Sequence, residues 1–143
     1  MKLLRYGPAG QEKPGCLDAD GRVRDLSGHV ADIAGAALSP DTIARLKALD
    51  IATLPVVEGS PQDDLRLGPC VGQTGKFVCI GLNYADHAAE SGLAVPPEPV
   101  IFNKWTSAII GPDDDVQIPR GSKKTDWEVE LGVVIGKGGS YID

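Results

Sequence analysis

The sharpest hydrophobic pattern in the chain is Asp126-Trp127-Glu128-Val129-Glu130-Leu131-Gly132-Val133-Val134-Ile135-Gly136. It begins as strict alternation, the period of a half-buried strand. Trp127, Val129, Leu131, Val133 and Ile135 fall on one face. Glu128 and Glu130 fall on the other, one pleat apart, which puts their Cβ atoms roughly 6–7 Å from each other. The pattern predicts two glutamates pointing into one cavity, with Trp127, Val129 and Leu131 packed behind them.

Earlier in the chain the patterns are shorter. Leu3-Leu4-Arg5-Tyr6 predicts a strand. Pro14-Gly15-Cys16-Leu17 leads into the turn chemistry of Asp18-Ala19-Asp20-Gly21, and Arg22-Val23-Arg24-Asp25-Leu26 alternates as a returning strand. Ser39 is placed to cap a helix with Pro40 at its first position and Asp41 in its first turn. Ile43, Leu46 and Leu49 give that helix one apolar stripe. Leu54-Pro55-Val56-Val57 predicts a short or edge strand, because Pro55 cannot donate to a ladder. Phe77-Val78-Cys79-Ile80-Gly81 predicts another strand. Asn83 then offers an N-cap for two short helical turns over Tyr84 to Ser91, which Gly92 stops. Val95 to Pro99 reads as an extended loop, Val100-Ile101-Phe102-Asn103-Lys104 as a strand, Gly111-Pro112 as a turn, and Val116 to Pro119 as extended chain.

These elements divide into a small N-terminal α/β domain at residues 1–57, a polar linker at 58–75, and a β-rich part at 76–143. The expected class is α+β. Eighteen glycines and 11 prolines favour many short elements over a helical bundle. A net charge of −6 argues against nucleic acid or an anionic membrane as partner. No apolar run approaches the ~18 residues of a membrane span, and Met1 to Gly7 lacks the apolar region of a signal peptide. Cys16, Cys70 and Cys79 are odd in number and have no CxxC spacing. They fit reduced thiols of a cytoplasmic protein better than a disulfide framework or a zinc site.

Candidate chemistry gathers in the β-rich part. Two carboxylates as near as Glu128 and Glu130 repel, and a hard divalent cation between them relieves the repulsion. The plainer alternative is that both face water. His87 and Glu90 are three positions apart on the predicted helix and share a face. A glutamate beside an imidazole orients it and favours its charged form, and such a dyad can take a proton from water or from a carbon acid. The plainer alternative is a surface pair. The helix follows an apolar strand through Gly81-Leu82-Asn83, a kind of junction that often carries catalytic groups. Tyr84 and Lys104 are the candidate substrate-binding residues; Lys104 and Arg120 can each bind a carboxylate or simply be solvated. Asp113-Asp114-Asp115 lacks calcium-loop spacing and reads as an exposed turn. Gly136-Lys137-Gly138-Gly139 lacks a phosphate-loop pattern and reads as a hairpin turn.

Taken together, the motifs carry more than each alone. The run Ile80-Gly81-Leu82-Asn83-Tyr84-Ala85-Asp86-His87-Ala88-Ala89-Glu90, then Pro99-Val100-Ile101-Phe102-Asn103-Lys104, then Ser107 with Gly111-Pro112, then Asp126 to Gly136 closely resembles the fumarylacetoacetate hydrolase superfamily. The opening from Met1 to Asp18 is similar to bacterial members named ureidoglycolate lyases. The resemblance implies a mixed β-roll catalytic domain after a small N-terminal domain, in a homodimer. It implies Mg²⁺ or Mn²⁺, with Glu128 and Glu130 as two of three carboxylate ligands, and His87 with Glu90 as the base. It implies substrates that are small 2-oxo or 1,3-dioxo carboxylic acids, and hydrolytic or lyase chemistry that includes cleavage of acylpyruvates or ureidoglycolate. The third ligand, an aspartate, and a catalytic lysine are expected downstream of Asp143. The expected chain therefore ends within the β-roll, and the alternative to an enzyme is a non-catalytic fragment that associates through exposed strands.

Overall fold

The computed structural model describes residues 1–59 and 64–142, so part of the polar linker expected at 58–75 lies outside the described residues, as does Asp143. The chain packs as two units, Met1–Gln73 with Ile110–Asp143, and Thr74–Ile109.

The first unit is built on a three-stranded antiparallel sheet of β1 (Lys2–Tyr6), β2 (Lys13–Leu17) and β3 (Val23–Asp25), in that order. The segment from Pro14 to Leu17, expected only as a lead-in, is the central strand. Pro14 is tolerated there because the ladder to β3 begins one residue later, at Gly15, while the Pro14 carbonyl accepts the Leu26 N–H at 3.0 Å. Gly15 is required by space: a Cβ would lie 3.0 Å from side-chain carbons of both Leu4 and Tyr6. Asp18 organises the β2–β3 turn by accepting the Asp20 and Arg22 N–H groups at 3.0 and 2.9 Å.

Ser39 caps helix α1 (Pro40–Lys47) as expected, its hydroxyl accepting the Thr42 N–H at 3.3 Å. Leu46 from α1 then closes a core with Cys16, Leu26 and Leu54. A second cluster, Leu4, Tyr6 and Val23, is covered by Leu65 and Leu67. Residues 65–68 thus do not behave as a free linker. They run along β1, with Tyr6 bridging Leu67, the Gly7 N–H donating to Arg66 and the Gly68 N–H donating to Arg5. Leu54 to Val57 forms only a single bridge, Arg24 to Val56, in keeping with Pro55.

The second unit holds the antiparallel pair β4 (Val78–Gly81) and β5 (Val100–Asn103), with Ile80 opposite Ile101, and helix α2 (Ala85–Glu90) in the connection. Lys104 donates its N–H to Phe77 at 3.1 Å, so the pairing runs one residue beyond both strands.

The expected glutamate strand is corrected by the structure. Residues 126–136 form no strand, and neither do residues 116–119. Trp127 is 84% exposed, Val129 82% and Leu131 81%, so no apolar layer lies behind Glu128 and Glu130. Alternation creates a strand only where a neighbouring strand satisfies its backbone and another layer buries its apolar face. The described residues provide neither. Without flanking strands, Gly136 to Gly139 makes no hairpin either. No described helix is long and apolar enough to cross a membrane.

Candidate functional site

Helix α2 leaves β4 through Gly81-Leu82-Asn83. Leu82 sits at φ +49°, in the left-handed region that a branched side chain seldom occupies. The helix starts one residue later than Asn83 would place it, with Tyr84 as the extended N-cap residue. Gly92 ends it at φ +65°. The Gly92 N–H donates to Ala89 at 3.1 Å and the Leu93 N–H to Ala88 at 3.0 Å, the paired bonds of a Schellman ending.

On this helix Ala88 is buried, His87 half-buried and Glu90 exposed. His87 donates its backbone N–H to its neighbour Asp86 at 2.9 Å. Among the described residues no hydrogen bond or ion pair joins the His87 and Glu90 side chains, although the helix places them on one face. At the C-terminal end of β4 lies a cleft of about 350 Å³, walled by residues 80–83, Ala85 and the proline-rich stretch 95–99. Tyr84 and Lys104 are both exposed, and neither lines that cleft.

Glu128 and Glu130 are exposed. Carboxylates are the right donors for a hard cation, but among the described residues no group of three His, Cys, Asp or Glu side chains comes together to hold one. The described residues do not complete a metal site.

What the sequence reading missed is a chain of charges in the first unit. Glu12, with only 6% of its side chain exposed, accepts Arg66 Nη1 at 3.0 Å and Arg5 Nη2 at 3.4 Å. Arg5 continues to Asp32, its Nε donating at 2.7 Å. Arg66 continues to Asp114, with Nε and Nη2 donating to the two carboxylate oxygens at 2.7 and 2.6 Å. Asp114 also accepts the Gly111 N–H at 2.8 Å. The middle residue of Asp113-Asp114-Asp115 is therefore anchored rather than simply solvated. Its hydrogen bond from Arg66, then that from Gly111, holds its carboxyl below the usual range. Burial alone would push Glu12 up, but hydrogen bonds from its own backbone N–H, Arg66 and Gly10, with the charge of Arg5, outweigh it and hold Glu12 low. The available signal was the alternation Leu65-Arg66-Leu67, an arginine between two core-facing leucines.

Residues 76–143 match the family model described as fumarylacetoacetate (FAA) hydrolase C-terminal. Over these residues, just under half of the chain, the protein is similar to the fumarylacetoacetate hydrolase superfamily. It is 69% identical over 136 residues to a protein of Burkholderia ambifaria (strain MC40-6), covering 95% of this chain and 47% of that relative. A protein of Burkholderia multivorans (strain ATCC 17616 / 249) is 70% identical over the same shares. The names of both relatives propose a hydrolase. The chain thus spans about half the length of the curated relatives it matches, as the 47% coverage shows. A crystal structure of a protein from Mycobacterium smegmatis, proposed to be HpcE, superposes with a TM-score of 0.57 at 30% identity, over 85% of this chain and 42% of that one. The fold agrees in part with the expected class: two small sheets and few, short helices.

Proposed function

We propose that the protein is a hydrolase or lyase of the fumarylacetoacetate hydrolase type, acting on small 2-oxo or 1,3-dioxo carboxylic acids. The observation that carries this reading is the placement of His87. It is half-buried on α2, directly after β4, within the residues that match the family model and one helical turn from Glu90. In this reading His87 takes a proton from water or from the substrate carbon, and Glu90 stabilises the imidazolium that results. Lys104 and Tyr84 attract and orient the substrate carboxylate.

We assign Glu128 and Glu130 as two ligands of Mg²⁺ or Mn²⁺, within a mixed β-roll and in a homodimer. The metal, when bound, supplies Lewis-acid stabilisation of the developing oxyanion. The described residues leave that ligand set short of a third member, so the roles above are derived from the side chains alone. The family match and the paired carboxylates support the assignment. Mn²⁺ binding followed by water-proton relaxation tests it: Glu128→Gln with Glu130→Gln should weaken binding at least tenfold, and unchanged binding would remove both residues from the metal.

A second reading, association of a non-catalytic chain through exposed strands, draws support from the exposure of Trp127, Val129 and Leu131. Light scattering beside an oxo-acid assay separates the two readings. A mass that rises with concentration and falls on Trp127→Lys, without turnover of an oxo-acid, favours the non-catalytic chain, whereas turnover favours the enzyme.

A further inference from the structure

Three segments distant in sequence meet at one guanidinium in the first unit. Arg66 binds both oxygens of Asp114, one oxygen of Glu12, and the Gly7 carbonyl at 2.9 Å. A planar fork is suited to this, because it fixes direction as well as charge. The surroundings are cut back to admit the charges. A Cβ at Gly68 would meet the Glu12 side chain at 2.6 Å, and one at Gly72 would meet Arg5 at 3.0 Å as well as Asp32. A Cβ at Gly111 would overlap the Leu67 carbonyl, beside Arg66. Three glycines thus lie flush against one network. Asp114 lies within the residues that match the family model, whereas Glu12 and Arg66 lie before them.

We infer that Arg66 is a strap that holds the segment opening at Ile110 against the N-terminal sheet. Closed, the strap fixes Asp114 by two charge-assisted bonds and the Gly111–Asp114 turn by two more, since the Asp114 N–H also donates to the Gly111 carbonyl at 3.3 Å. The inference does not depend on the metal assignment of Glu128 and Glu130, which lie further along the same segment.

Amide hydrogen exchange on the whole chain tests it. Arg66→Met should speed exchange at the Gly111 and Asp114 amides at least tenfold, while the β1–β2 amides keep their protection. Arg66→Lys should give an intermediate effect, because an ammonium cannot hold both oxygens in one plane. Asp114→Asn, which leaves Arg66 on Glu12 and Gly7, provides a milder variant should Arg66→Met fail to fold. In the unaltered chain, ~1 M salt should raise exchange at Gly111 and Asp114 more than in the sheet, since the pair is only partly buried. Unchanged exchange at these two amides in Asp114→Asn and in high salt would overturn the strap.

Discussion

Arg66 and Asp114, 48 positions apart, form a two-pronged ion pair with N–O distances of 2.7 and 2.6 Å. Asp114 titrates below the ordinary aspartate value of 3.8 and Glu12 below the ordinary glutamate value of 4.5. Asp18 is displaced further. Burial opposes ionisation there, but the hydrogen bond from Arg24, followed by those from the Arg22 and Asp20 N–H groups, lowers it to about 2. All three carboxyls are depressed in the folded state. Each therefore contributes stability that is complete above its unfolded value and is lost as pH falls through its folded value. The melting temperature should stay level from pH 7 to about 5 and fall steeply below about 4. Asp114→Asn should start lower and fall less over the acid range. A parallel fall in that variant would show that Asp114 carries none of the acid sensitivity.

The core of the first unit supports a direct stability prediction. Leu26 is fully buried in the cluster with Cys16, Leu46 and Leu54. Leu26→Ala removes that contact and leaves a cavity, and should cost about 2–5 kcal/mol in urea denaturation. Val129, at 82% exposure, is the contrasting site. Val129→Ala should change stability by less than about 0.5 kcal/mol. A large loss at Val129 would mean that the segment packs in solution as the alternation first suggested.

Local signals explain what was legible. The Ser39-Pro40 start of α1, the returning strand before Leu26, and both strands of the second unit each rest on neighbours close in sequence. The glutamate strand does not. Its pattern is as clear as any in the chain, yet pairing is a tertiary event, and the described residues supply no strand beside it. Central strand β2 was half-hidden because Pro14 and Gly15 have low strand propensity. Only its partners explain them: Leu4 and Tyr6 fill the space a Cβ at residue 15 would need. The Arg66–Asp114 pair was hidden for the same reason, since neither residue announces its partner.

The ending of α2 gives a prediction that bears on the candidate dyad. Gly92 adopts φ +65° to close the Schellman bonds. An L-residue with a Cβ costs roughly 1–2 kcal/mol there. Gly92→Ala should speed exchange at the Leu93 amide and fray the turn that carries Glu90. Gly138→Ala is the control, since a Cβ there meets nothing within 4 Å and no left-handed φ is required. Equal protection of Leu93 in the Gly92 variant and the parent would mean that the left-handed ending is not needed.

His87 is the residue on which the proposed function stands or falls. In protein that turns over an oxo-acid, His87→Ala should lower kcat by ~10²–10⁴, the usual loss on removing a positioned general base. The melting temperature should move little, because the side chain is only half-buried and Ala88, not His87, faces the interior. Glu90→Gln keeps the size of its side chain and removes the charge that stabilises the imidazolium. It should lower kcat by a smaller factor. Divalent-metal content should be unchanged in both variants, because the assigned ligands are Glu128 and Glu130. Assays on oxaloacetate, an acylpyruvate and ureidoglycolate, run beside melting curves and metal analysis, separate these outcomes. Normal turnover in His87→Ala would return His87 to the role of a helix-surface histidine. A loss in Glu90→Gln equal to that in His87→Ala would assign the proton transfer to Glu90 itself.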